Sequence, residues 1–177
     1  MGDRTWCTLS IEGILAKEDL DELVDAISSA DPQDGPEGIR AAVLAGTPSF
    51  EFEEVNYAQL DDSLASLLED LRLSYAWSWE AGDEYGAGVT IFDARKMEKI
   101  DLDMAGDDIA VTLRDIDREG YIDALREWDR IYRATWKFFV YASNHELIAA
   151  KDENKLPEGY FEILKDRRTE AEIKDVS

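Results

Sequence analysis

Twenty-six of the chain's 41 acidic residues lie before Arg114, together with only seven of its 19 basic ones. The formal net charge is −22, and charge of this size opposes compaction through self-repulsion. Any fold must therefore bury enough apolar surface to overcome it. The chain has the means: 45% of its 177 residues are apolar, and five Trp, seven Tyr and six Phe add large side chains. A single domain of this length buries roughly two-thirds of the surface its unfolded form exposes. The same field repels nucleic acid and anionic membranes and attracts basic surfaces. Proteins that grip nucleic acids carry such surfaces.

The apolar pattern switches repeatedly between periods of two and about 3.6 residues. Residues 5–12 alternate and are rich in strand formers, ending at Gly13. Leu20, Leu23, Val24 and Ile27 then recur at helical spacing within residues 17–29, and Pro36 opens a short helix ending near Gly46. Phe50, Phe52 and Val55 predict a second strand with Glu51 and Glu53 pointing the other way. Asn56 and Gln59 resemble a capping box for a helix over Leu60, Leu64, Leu67, Leu68 and Leu71. Leu73, Tyr75, Trp77 and Trp79 alternate strictly, a turn spans Gly82–Gly88, and strands follow at Val89–Asp93, 97–104 and 108–114. From Tyr121 to Ala149, large apolar residues at three- and four-residue steps predict one long helix. The expected fold is α+β, an antiparallel or mixed sheet with helices packed on one face. Residues 1–150 form its single domain. Residues 151–177 are a polar extension with a short helix after Pro157 and a fraying end.

Two segments carry a family resemblance. Trp6-Cys7 opens the first strand, and Leu67 to Tyr75 is followed by Glu80-Ala81-Gly82-Asp83-Glu84-Tyr85-Gly86-Ala87-Gly88. In these the chain resembles the YubB-type ferredoxin-like proteins of plasmids and phages. The resemblance covers about a third of the sequence, excludes the region after Tyr121, and lacks the tryptophan-rich strand that usually precedes the motif. It implies a ferredoxin-like, split β-α-β core and a mobile-element origin, and it brings no catalytic residues.

Few motifs point to chemistry. Asp115–Arg126 matches a calcium-binding loop at several positions, but Arg126 stands where a bidentate Glu is required. The segment reads as a strand end, a turn at Gly120, and acids at a helix N-terminus. Asp101–Asp108 is a second near-match with Ala105 at a ligand position, and reads as a hairpin turning at Gly106-Asp107. His145 is the only histidine, which excludes histidine pairs and multi-histidine metal sites. Cys7 is the only cysteine, so no internal disulfide forms and a reducing interior is expected. No glycine run fits a phosphate cradle. Arg126, Arg130, Arg133 and Lys137 share one helical face, where interleaved Asp123, Glu127 and Asp129 favour pairing over phosphate binding. The sequence thus supports no enzyme activity, cofactor or metal.

The acidic residues are the best functional candidates. Glu51/Glu53 and Asp101/Asp103 are i, i+2 pairs on predicted strands, each placing two carboxylates about 7 Å apart on one face. That spacing is of the order of successive phosphates along a nucleic-acid strand. With Glu54, Asp107 and Asp108 they make up the predicted partner-binding set. The expected function is non-enzymatic inhibition of a phage or plasmid type. The acids would occupy the nucleic-acid-binding surface of a host defence complex, as an anti-CRISPR or anti-restriction mimic. The alternatives are an acidic structural or regulatory interaction module without mimicry and, behind it, a divalent-metal-binding protein. The expected partner is a basic nucleic-acid-binding protein of the host, with no direct nucleic acid or membrane contact. The expected location is cytoplasmic.

Overall fold

The computed structural model describes residues 4–56, 59–82, 86–106, 108–111, 120–133, 137–141, 143, 146 and 149–150, with 54–56 described by their backbone alone. These residues form an α+β fold of seven strands and four helices, and the sheet is mostly antiparallel. In chain order the elements are β1 (Arg4–Ala16), α1 (Leu20–Ser29), α2 (Pro36–Leu44), β2 (Ser49–Asn56), α3 (Asp62–Asp70) and β3 (Ser74–Trp79). Then come β4 (Gly88–Asp93), β5 (Glu98–Ala105), β6 (Asp108–Ile109), α4 (Tyr121–Tyr132) and β7 (Phe138–Tyr141). The strand order is β2-β1-β3-β4-β5-β6, and β7 pairs with β1 outside that path. Because β2 and β3 both run antiparallel to β1, they are parallel to each other. The α3 connection between them is therefore a split β-α-β crossover around β1. The earlier connection, through α1 and α2, instead returns to the neighbouring strand.

Two cores lie on opposite faces of the sheet. On one face Leu9, Ile11, Phe50, Phe52, Tyr75 and Trp77 meet Leu20, Leu23, Ile27, Ile39, Val43, Leu64 and Leu68 of α1–α3. On the other, Ala76, Val89, Ile91 and Leu102 meet Leu125, Trp128 and Ile131 of α4. The expectation of helices on one face is therefore corrected. The cause is visible in β4, where Val89 and Ile91 are buried on one side and Phe92 on the other. Two buried faces need a cover on each side.

Local differences from the sequence reading have similar causes. β1 runs through Gly13 to Ala16, and a Cβ at Gly13 would lie 2.6 Å from Leu73 Cδ2, so a close approach requires the glycine and not a strand end. Helix α3 is capped by Asp61, whose Oδ1 accepts from the amides of Ser63 at 3.0 Å and Leu64 at 3.1 Å. Asn56 remains in β2. The long helix from Tyr121 to Ala149 is not present: α4 ends at Tyr132, and Phe138–Tyr141 forms β7. This run pairs in parallel with Gly13–Ala16, where the Gly13 amide also donates to the Lys137 carbonyl at 3.0 Å. Buried backbone at the end of β1 needed a partner, and an aromatic and β-branched run supplied it. Of the strand expected at 108–114, residues 108–109 are strand and 112–114 lie outside the described residues. The extension 151–177 lies outside them too.

Candidate functional site

Register assigns each predicted acid to a face. Glu51 pairs with Thr8, Thr8 with Ser78, Ser78 with Val89, and Val89 with Leu102. Directly paired residues share a face, so Glu51 lies on the α4 side. The row Phe52, Cys7, Trp79, Gly88, Asp103 and the row Phe50, Leu9, Trp77, Thr90, Asp101 run across the opposite face. Asp101 and Asp103 are therefore on the α1–α3 side. Four strand spacings of about 4.8 Å separate β2 from β5, or about 19 Å. The sheet brings Asp101 next to Asp103 but holds Glu51 apart from them on the reverse face, and Glu53 falls in a bulge of β2. Asp108, in β6, is paired with Arg133 at 2.9 Å. Glu54 is within β2 with its side chain outside the description, and Asp107 lies outside the described residues.

Glu51 shares a groove with Trp6 and Asp101 a cleft with Trp79, while the Glu53 carboxylate accepts from Gln33 Nε2 at 2.7 Å. Between Val55 and Phe52, β2 has one residue more than β1 has between Thr5 and Cys7. This bulge sets Glu53–Glu54 against Trp6, which is 46% exposed. A groove of about 480 Å³ there is lined by Trp6, Glu51, Ser78, Glu80, Met104 and Tyr132, and is reached also by Trp79 and Gly88 at the strand end. Cys7, buried beneath it, has its thiol pushed up to about 12 by burial and then by the nearby Glu80 charge. It is held as a protonated apolar group.

On the reverse face α1–α3 cover β2, β1 and β3 but leave an opening over β4 and β5. A cleft of about 670 Å³ lies there, with Tyr75, Trp77 and Trp79 along its floor, Leu60 and Ala65 on the α3 wall, and Asp62, Lys99 and Asp101 among the polar groups lining it. Trp79 lies across Gly88: a Cβ at Gly88 would stand 2.2 Å from Trp79 Cζ2. The Trp79 Nε1–H donates to the Gly86 carbonyl at 3.0 Å, which fixes the ring. Tyr75 and Lys99 both bond Glu69 Oε1, at 3.0 and 2.9 Å. Burial first, and the Glu69 charge second, push the Tyr75 hydroxyl up, so it stays a donor. Thr90 Oγ1 donates to Asp101.

The basic stripe is taken up in ion pairs. Arg126 meets Asp123 at 2.9 Å, Arg130 meets Glu127 at 2.8 Å, and Arg133 meets Asp129 at 2.7 Å as well as Asp108. Hydrogen bonds from Arg130 and then Lys96 hold the Glu127 carboxyl at about 2. Lys137 follows the helix instead of lying on it. Among the described residues no group of three His, Cys, Asp or Glu is placed to hold a metal ion. Residues 115–119 of the calcium-like motif and His145 lie outside them. Among the described residues no helix is long and apolar enough to cross a membrane. No family model, curated protein or solved structure matches this chain.

Trp6, Trp79 and Gly88 were missed as site residues by sequence reasoning. Trp6 had a signal, since it occupies the outward phase of a strand whose neighbours Thr5 and Cys7 point inward. The seating of Trp79 on Gly88 had none, because it depends on the register between β3 and β4.

Proposed function

We propose that the protein is a non-enzymatic acidic inhibitor of the phage or plasmid type. It docks on the basic, nucleic-acid-binding surface of a host defence complex of the CRISPR or restriction kind. The observation that carries this reading is the placing of strand carboxylates beside a tryptophan on each face: Glu51 in the groove at Trp6, Asp101 and Asp103 beside Trp79. Interfaces draw most of their affinity from a few aromatic anchors, while surrounding charge governs encounter rate and orientation. Kinship with the YubB-type ferredoxin-like proteins is part of the proposal. It is supported by the split β-α-β crossover through α3.

The test is capture of partners from a nuclease-treated bacterial lysate by the tagged protein, with and without competing DNA or RNA. One nucleic-acid-handling complex, displaced by competitor and lost when Glu51, Glu53, Asp101 and Asp103 are reversed to Lys, is the expected result. A complex that survives both treatments refutes mimicry. A second reading, an acidic interaction module without mimicry, is favoured by the place of Glu51 and Glu53 on the outermost strand. Charge on an edge strand discourages pairing with other chains.

A further inference from the structure

The cleft over β4 and β5 sets an indole beside exposed carboxylates. Its floor is an indole held flat on backbone: Trp79 rests on Gly88, a position where any Cβ would displace it, and its Nε1–H is anchored on Gly86. On the neighbouring strand Asp103 pairs with Gly88, and Asp101 pairs with Thr90, one i, i+2 step along the same face. Both carboxylates are exposed; Asp101 lines the cleft, Asp103 stands beside it, and the ammonium of Lys99, also in the lining, is paired with Glu69 at 2.9 Å. Across from them Asp62 opens α3. An aromatic face bordered by carboxylates is complementary to a cation, attracting it through the ring quadrupole and through charge together. A planar guanidinium stacks on indole and bonds carboxylates with two parallel N–H groups, which an ammonium does not do.

We propose that this cleft is an arginine seat: it receives one arginine side chain of the basic partner, stacked on Trp79 and bonded by Asp101 and Asp103. The proposal rests on the inhibitor reading given above and names what that partner inserts. Because Gly88 and Gly86 have already fixed the ring, little side-chain freedom is lost on binding.

The probes are two capped nine-residue peptides, all-arginine and all-lysine, titrated against the full chain at low and physiological salt. Their charge is equal, so acidity alone binds both alike. The seat predicts tighter binding of the arginine peptide by roughly five- to thirtyfold. That preference collapses in Trp79→Leu, and in Gly88→Ala, whose new methyl lifts the ring. Circular dichroism establishes which variants fold. A readout in the unaltered protein accompanies them: the Trp79 indole N–H resonance shifts with the arginine peptide. Equal binding of the two peptides, an arginine preference that survives in a folded variant, or a stationary indole resonance overturns the seat. Each leaves the acidic inhibitor reading standing. Failure of both peptides to bind at low salt overturns the two together.

Discussion

The register that aligns Asp101 and Asp103 with Trp79 depends on the turn between β4 and β5, and Asp93 holds that turn. Its side chain is only 2% exposed, and Oδ1 accepts from the Arg95 backbone N–H at 3.0 Å and from Arg95 Nε–H at 2.8 Å. Arg95 also reaches Glu12 at 3.7 Å. Replacement by Ala removes both bonds and leaves the Arg95 amide without its acceptor. Hydrogen bonds to charged groups contribute about 1.5–3 kcal/mol each. Part of that is returned because the buried carboxylate no longer has to be desolvated. The net expectation for Asp93→Ala is a loss of about 3 kcal/mol, a substantial fraction of the 5–15 kcal/mol typical of a domain. Asp93→Asn keeps an acceptor for the Arg95 amide but loses the charge, and is expected to lose about half as much. Urea unfolding followed by tryptophan fluorescence, with unchanged slope, measures both. Asp93→Ala within about 0.5 kcal/mol of the unaltered protein, the usual range for surface changes, would refute the assignment of this carboxylate as the turn's support.

Asp61→Ala removes the α3 cap and is expected to cost about 1 kcal/mol at neutral pH. The bond from the Ser63 side chain, then that from the Leu64 amide, lower the Asp61 pKa in the folded state. Its contribution is therefore present above the unfolded carboxyl value near 3.9 and lost as pH falls through the lower folded value. Urea midpoints of the two proteins should differ at pH 7 and converge in strong acid. Cys7, buried and with its thiol raised to about 12, should resist alkylation at pH 8 until the chain is unfolded. Rapid labelling of the native protein, followed by mass spectrometry, would contradict its burial.

How legible the fold was depended on the range of the interactions that set each element. Where one face alone is buried, as along Phe50 and Phe52 or Leu20, Leu23 and Ile27, the apolar period identified the element and its inward side. The errors fall where a distant partner decides. Phe138–Tyr141 continues a helical spacing from Tyr121, yet the open backbone at Gly13–Ala16 draws it into a parallel pair. The cover of α4 over Ala76, Val89 and Ile91 required β4 to be read as buried on both sides, and Thr90 between two apolar residues obscured that. For the candidate site, the i, i+2 spacing agrees with the register of Asp101 and Asp103, whereas Glu53 falls in the bulge of β2 that local spacing does not reveal. Which face the carboxylates occupied follows from strand order, to which local spacing is blind.

That separation changes what mimicry can mean here. Glu51 and the Asp101–Asp103 pair stand about 19 Å apart across β1, β3 and β4, on reverse faces, while the screening length at physiological ionic strength is about 8 Å. On the proposed reading, one basic groove would therefore engage Glu51 with Trp6, or Asp101 and Asp103 with Trp79, but not both as a single phosphate-like row. The total charge of −22 still draws a basic partner from any direction. On the proposed reading, encounter would belong to the whole surface, and retention to the tryptophan the partner covers. The cleft at Trp79 has the stronger claim. Its ring is fixed by Gly88 and Gly86 and set in the larger of the two depressions, about 670 Å³ against 480 Å³. The groove at Trp6 instead runs across the sheet from Glu51 on β2 to Met104 on β5.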